Sequence, residues 1–140
     1  MRKLVFILFV VVMVGCSTTK IKETNALYNV LVSSEYGGGN FRFYEIITEP
    51  KEFKMLLGDE ELKKLVKEND IDSANFILLN MGEKTTGGYS IEIVSEEERI
   101  DKIVVTVKEN APKSGENVTD VITNPYSVVK INSKKSIEIK

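Results

Sequence analysis

The chain has 140 residues, 42% of them hydrophobic, with 19 basic and 21 acidic side chains. That is one ordinary domain, and the near balance of charge leaves no basic footprint for nucleic acid. With no His, no Trp and a single Cys, the chain lacks the residues for Ser-His-Asp or Cys-His catalysis, His-ligated zinc and an internal disulfide.

Arg2 and Lys3 form a positive start, followed by eleven uninterrupted apolar residues, Leu4 to Val14. A membrane-spanning helix needs about 20 such residues, so the run fits the core of a secretory signal peptide instead. It ends in Met13-Val14-Gly15-Cys16, which resembles the lipobox of bacterial lipoproteins, with Met13 where Leu is usual. The expectation is a signal peptide over 1–15, a lipidated Cys16 opening a polar tether over 16–26, and a single β-rich domain over 27–140. An exported lipoprotein of this kind is held on the bacterial cell membrane or outer membrane, because more than one acyl chain anchors stably.

Leu27 to Ser34 and Phe41 to Thr48 read as strands, rich in Val, Phe, Tyr and Ile. Gly37-Gly38-Gly39 between them marks a turn or loop. Pro50 suits the first turn of a helix, with Phe53, Leu56 and Leu57 on one face and Gly58 as its stop. Asp59 can cap a second helix carrying Leu62, Leu65 and Val66. Phe76 to Met81 is a nearly continuous apolar run, as in a central strand. Tyr89, Ile91 and Ile93 alternate with polar residues, and Ile103, Val105 and Val107 repeat the period of two. Tyr126 to Ile131 and Ser136 to Lys140 complete the set. The fold class is β-rich α+β: an antiparallel sheet, as a sandwich or open barrel, with one helical segment at about 50–68.

Motifs for chemistry are few. Gly82 to Tyr89 (GEKTTGGY) has a phosphate-loop spacing, but Gly88 and Tyr89 stand where Lys and Ser or Thr are required, and a strand follows where a helix should start. Asp70-Ile71-Asp72 begins like a calcium loop, yet Asn75 and Met81 occupy the positions of the Gly and Glu. The acidic run Glu96-Glu97-Glu98 with Asp101 reads as a solvated turn. No carboxylate pair stands out for catalysis, no metal or cofactor is called for, and the chain reads as a non-enzyme. If the strands 76–81, 89–94, 102–108 and 126–131 run antiparallel in sequence order, the loops 82–88 and 109–125 share one end of the sheet. Tyr89 and Tyr126 then stand at the strand mouths among Gly82, Gly87, Gly88, Pro112, Gly115 and Pro125. Loops on a sheet end commonly carry binding residues; the same glycines and tyrosines also serve turn and core equally well.

These residues carry a family resemblance. The apolar strand, Gly82, KTTGGYSIEI (Lys84 to Ile93), the V-x-V strand at Val105 to Val107, the loop Glu109 to Gly115 and TNPYSVVKI (Thr123 to Ile131) together resemble the C-terminal domain of PrcB-type protease complex subunits, over about 71–131. The resemblance implies a non-catalytic lipoprotein, attached to the membrane through its N-terminal lipid, that binds or stabilises a secreted subtilisin-like protease. Its motif falls on Thr86, Gly87, Gly88, Tyr89, Pro112, Pro125 and Tyr126, and with Thr85 these form the expected partner-binding set. Lys84 to Tyr89 is also similar to the Thr-Thr-Gly-Tyr loop of chagasin-type protease inhibitors, with an extra Gly and without their later Trp. The alternatives are therefore an inhibitor that uses the 82–89 loop as a wedge, or a structural envelope lipoprotein without a specific partner.

Overall fold

The computed structural model describes residues 26–140. The expected signal peptide, Cys16 and nearly all of the expected tether lie outside these residues. In chain order the elements are β1 (Tyr28–Ser34), β2 (Arg42–Ile47), α1 (Pro50–Leu56), α2 (Glu60–Leu65), a 3-10 turn (Glu68–Asp72), β3 (Asn75–Met81), β4 (Ser90–Glu98), β5 (Lys102–Asn110), β6 (Tyr126–Ile131) and β7 (Ser136–Ile139).

The strands form two sheets. The first has the order β1-β6-β3-β2 and is antiparallel throughout. The second has the order β4-β5-β7, with β4 antiparallel and β7 parallel to β5. The β-rich α+β class is thus borne out as two sheets with a helical layer, and among the described residues no barrel closes. The expected strand order is corrected: β3 lies between β6 and β2 and does not pair with β4, which leaves for the second sheet. The two N-terminal strands form where expected, and β1 and β2 occupy opposite edges of the first sheet. The acidic residues Glu96, Glu97 and Glu98 continue β4 instead of forming the turn, and they stay exposed.

The period of two explains the layers. On β3, Ile77, Leu79 and Met81 face the second sheet and meet Ile91, Ile93, Ile103 and Val105. Phe76 faces the other way, into a core with Phe53, Leu56, Leu62, Val66 and Ile71 from the helical segment. Phe53 and Phe76 stack with ring centroids 4.5 Å apart, a geometry worth about 1 kcal/mol beyond its buried area. Because the middle of β3 is covered on both faces, its residues there are apolar on both, as Phe76-Ile77-Leu78-Leu79 are. The helices start where expected. Pro50 opens α1, with Glu52 Oε2 accepting from the Thr48 and Glu49 amides, and Asp59 Oδ1 accepts from the Glu61 and Leu62 amides to cap α2.

The edge strand β2 is tied to the second sheet by one polar junction. Glu109 on β5 accepts from the Tyr44 hydroxyl at 2.7 Å and from Arg42 Nε at 2.7 Å. Burial works to raise the Glu109 carboxyl, but the hydrogen bonds from Tyr44 and Arg42 and the charge of Arg42 outweigh it and hold the group below its usual range.

Candidate protein-binding end

Three connections meet at the end of the first sheet where β3 finishes and β6 begins: 35–41, 82–89 and 111–125. Lys84 and Thr123 exchange backbone hydrogen bonds of 2.8 and 2.9 Å. The Gly87 amide donates to Thr119 O at 3.0 Å, and the fully buried Thr123 donates its hydroxyl to Thr86 O at 2.8 Å. The Met81 amide donates to Pro125 O at 3.0 Å. Glu35 closes the third side, accepting from the Gly88 amide at 3.2 Å through its carboxylate and from the Asn124 amide at 2.9 Å through its carbonyl.

The shared end foreseen for 82–88 and 109–125 therefore exists, although of the pairings that led to it only β4 with β5 is found. The loops meet because β3 and β6 are direct neighbours and the 82–89 loop leaves one as the 111–125 loop enters the other. Among the expected partner-binding residues, Thr85 and Gly88 are exposed, Thr86, Tyr89, Pro112 and Tyr126 are half-buried, and Gly87 and Pro125 are buried. Gly88 has φ +86°, and a Cβ there would lie 2.9 Å from Val118 and 3.0 Å from Pro112. This position needs glycine on both counts. The two tyrosines are not brought onto one face. Tyr89 packs with the core between the sheets, beneath Lys84 Nζ at 5.5 Å from its ring centroid, whereas Tyr126 packs with the helix-side core.

The triple-glycine segment also belongs to this end, which sequence reasoning missed. It crosses from the β1 edge to the β2 edge over the ends of β6 and β3. The Gly38 amide donates to Asn124 O at 2.9 Å. Buried Asn80 binds the segment with its whole amide: Oδ1 accepts from the Gly39 amide at 2.9 Å, and Nδ2 donates to Gly39 O and Phe41 O. A Cβ on Gly38 would lie 2.3 Å from Asn80 Oδ1 and 2.6 Å from Asn124 O. The available signal is Asn80 itself, an amide inside an apolar strand that must find backbone partners. The crossing leaves Phe41 84% and Tyr36 53% exposed, and the 111–125 loop leaves Ile122 59% exposed.

Beneath this segment lies a groove of about 300 Å³ between the first sheet and the α1–α2 turn, floored by Leu78, Tyr126 and Val128. Among the described residues no group of three His, Cys, Asp or Glu is placed to hold a metal ion.

The strands β3 to β6 and the two loops that join at Lys84 and Thr123 are one continuous stretch of chain. Residues 75–132 match the family model described as PrcB C-terminal. The PrcB C-terminal match begins at the first residue of β3 and ends one residue past β6, so it holds the centre of the first sheet, the β4–β5 hairpin and both loops. It agrees with the resemblance seen over about 71–131 and leaves β1, β2 and the helices outside it. The chain is also 35% identical over 69 residues to the uncharacterized protein MJ1373 of Methanocaldococcus jannaschii, a match that covers 49% of this chain and 41% of that protein. The chain thus spans about two fifths of the length of this curated relative. No solved structure matches the chain.

Proposed function

We propose that the chain is a non-enzymatic accessory protein, held at the cell envelope by a lipid on Cys16, whose loop end binds a partner protein, a secreted subtilisin-like protease. One observation carries the reading. The loops of the PrcB C-terminal match converge on the same end as exposed Phe41, Tyr36 and Ile122, and large apolar and aromatic side chains gathered on an exposed end suit a protein interface. The family supplies the kind of partner, since PrcB-type domains resemble subunits of protease complexes. Gly87, Gly88 and Pro125 serve this reading by shaping the loops, while Thr85, Phe41 and Ile122 make contact.

The test is capture. The full chain in detergent micelles is immobilised, exposed to the source organism's envelope and secreted proteins, and the retained species are identified. A serine protease should be retained, and the Phe41→Ser/Ile122→Ser double variant, whose changes touch only exposed side chains, should retain about tenfold less. Equal retention by that variant overturns the site, and nothing retained above an unrelated domain overturns the function. Peptidase activity of the captured enzyme then separates a stabiliser, which preserves it, from a wedge-type inhibitor, which abolishes it. For the anchor, Cys16→Ser should move the protein from the membrane fraction to the soluble fraction, as seen by fractionation and immunoblot; unchanged membrane retention would remove the lipid from the proposal.

A further inference from the structure

The groove beneath the triple-glycine segment is built mainly by β2, α1 and α2, outside the PrcB C-terminal match. Its lining is graded. Leu62 and Val128 close it on the inner side, 2% and 0% exposed, whereas Phe43 and Met55 stand 40% and 79% exposed. Its mouth therefore lies along β2, an edge strand whose outer side pairs with no strand among the described residues. Phe43, Glu45 and Ile47 alternate into the groove from that strand.

The charge at the mouth has one sign. Glu45, Glu52 and Asp59 line the groove, and among the described residues no Lys or Arg does. Glu52 and Asp59 each commit one oxygen to helix-capping amides. Their second oxygens, and both oxygens of Glu45, accept no hydrogen bond among the described residues. The field reaches the floor: burial first, then the charges of Asp59 and Glu61, raises the Tyr126 hydroxyl above its usual range. An open strand edge, an apolar slot and carboxylates in want of a cation describe a complementary ligand. It is extended, it pairs through its backbone, and on one face it carries an apolar side chain with a cation two residues away.

We propose that the groove and the free edge of β2 dock such a segment of a partner protein as an added strand, with its apolar side chain between Phe43 and Met55 and its lysine or arginine beside Glu45. This site adjoins the loop end, with Gly37 to Gly39 and Tyr126 common to both, but it does not rest on the role proposed there.

The test is an amide NMR titration of the labelled full chain in detergent micelles with the peptide acetyl-Ser-Thr-Leu-Thr-Lys-Thr-Ser-amide. Shifts should concentrate on β2 and Gly37 to Gly39. Affinity should fall about tenfold when the peptide's Lys becomes Glu or its Leu becomes Ala, and severalfold in Glu45→Gln. Asp59→Asn gives a second reading, because Asn still caps α2. Phe41→Ser/Ile122→Ser should bind the peptide as the native chain does, which keeps this result apart from the capture experiment. Shifts spread over β1 or the second sheet, equal binding of the Glu peptide, or no shift at millimolar peptide would overturn the proposal. Groove shifts that change with Lys20→Glu/Lys22→Glu before any peptide is added would assign the groove to the chain's own Lys20-Ile21-Lys22 and overturn the partner reading.

Discussion

At the scale of single residues, Asn80 determines how the loop end is held. It is 1% exposed and gives its amide to three backbone groups of a segment with no regular structure. A buried backbone group left without a partner costs about 1–3 kcal/mol, and partial hydration of the exposed glycines reduces that cost. Asn80→Ala should therefore lower stability by about 2–3 kcal/mol, read as a fall in the urea midpoint, with faster amide exchange at Gly39. A change below about 0.5 kcal/mol, ordinary for a surface site, would mean that the crossing holds itself without Asn80. Gly38→Ala attacks the same junction from the other side. Its Cβ would sit 2.3 Å from Asn80 Oδ1, so the segment must move, and amide shifts should spread from Gly38 to Asn124.

At the scale of elements, strand and helix positions are legible in the sequence because their signals are local. Alternation marks β4 and β5, Pro50 and Asp59 mark helix starts, and the apolar run marks β3 as central. Pairing is not local. Nothing between Ser34 and Arg42 tells that the chain crosses two strands before it pairs again, and three glycines serve a hairpin or a crossing equally well. The loop end was legible because its two main loops flank neighbouring strands, and the groove was not, since β2, α1 and α2 assemble it from segments that carry no motif. The β2–β5 junction is another product of pairing, and it makes a pH-dependent prediction. The folded carboxyl of Glu109 lies below the usual 4.5, so the unfolded chain binds its proton more tightly, and stability rises with pH across that interval. The junction's contribution is complete above the unfolded value and is lost as pH falls through the folded one. Burial first, and then Glu109, raises the Tyr44 hydroxyl above its usual 10, so it stays a donor throughout. Glu109→Gln should have a lower urea midpoint than the native chain at about pH 6, and the gap should close as acid passes below glutamate's usual pKa. Tyr44→Phe should cost about 1 kcal/mol at neutral pH. A gap that stays constant into acid would show that packing, not the charged acceptor, holds the junction.

At the scale of the whole molecule, the first sheet is a shared wall. Its one face closes the core with the second sheet and its other face closes the core with the helices, so neither layer has a core without β3 and β6. Leu79 sits in that wall, fully buried against the second sheet. Leu79→Ala removes side-chain contacts and leaves a cavity, a change that costs about 2–5 kcal/mol in a close-packed core. The loss originates on the second-sheet side, yet the helices should report it too. If the layers unfold together, the helical circular dichroism and the tyrosine fluorescence of the variant fall at one shared urea midpoint, lower than the native one. Tyr28, Tyr44 and Tyr89 report from the core between the sheets and Tyr126 from the helix side, so the optical signals sample both cores. A variant in which fluorescence shifts while the helical signal keeps its native midpoint would show that the helices and the first sheet stand without the second sheet. The groove would then belong to a unit that folds apart from the β4–β5 hairpin.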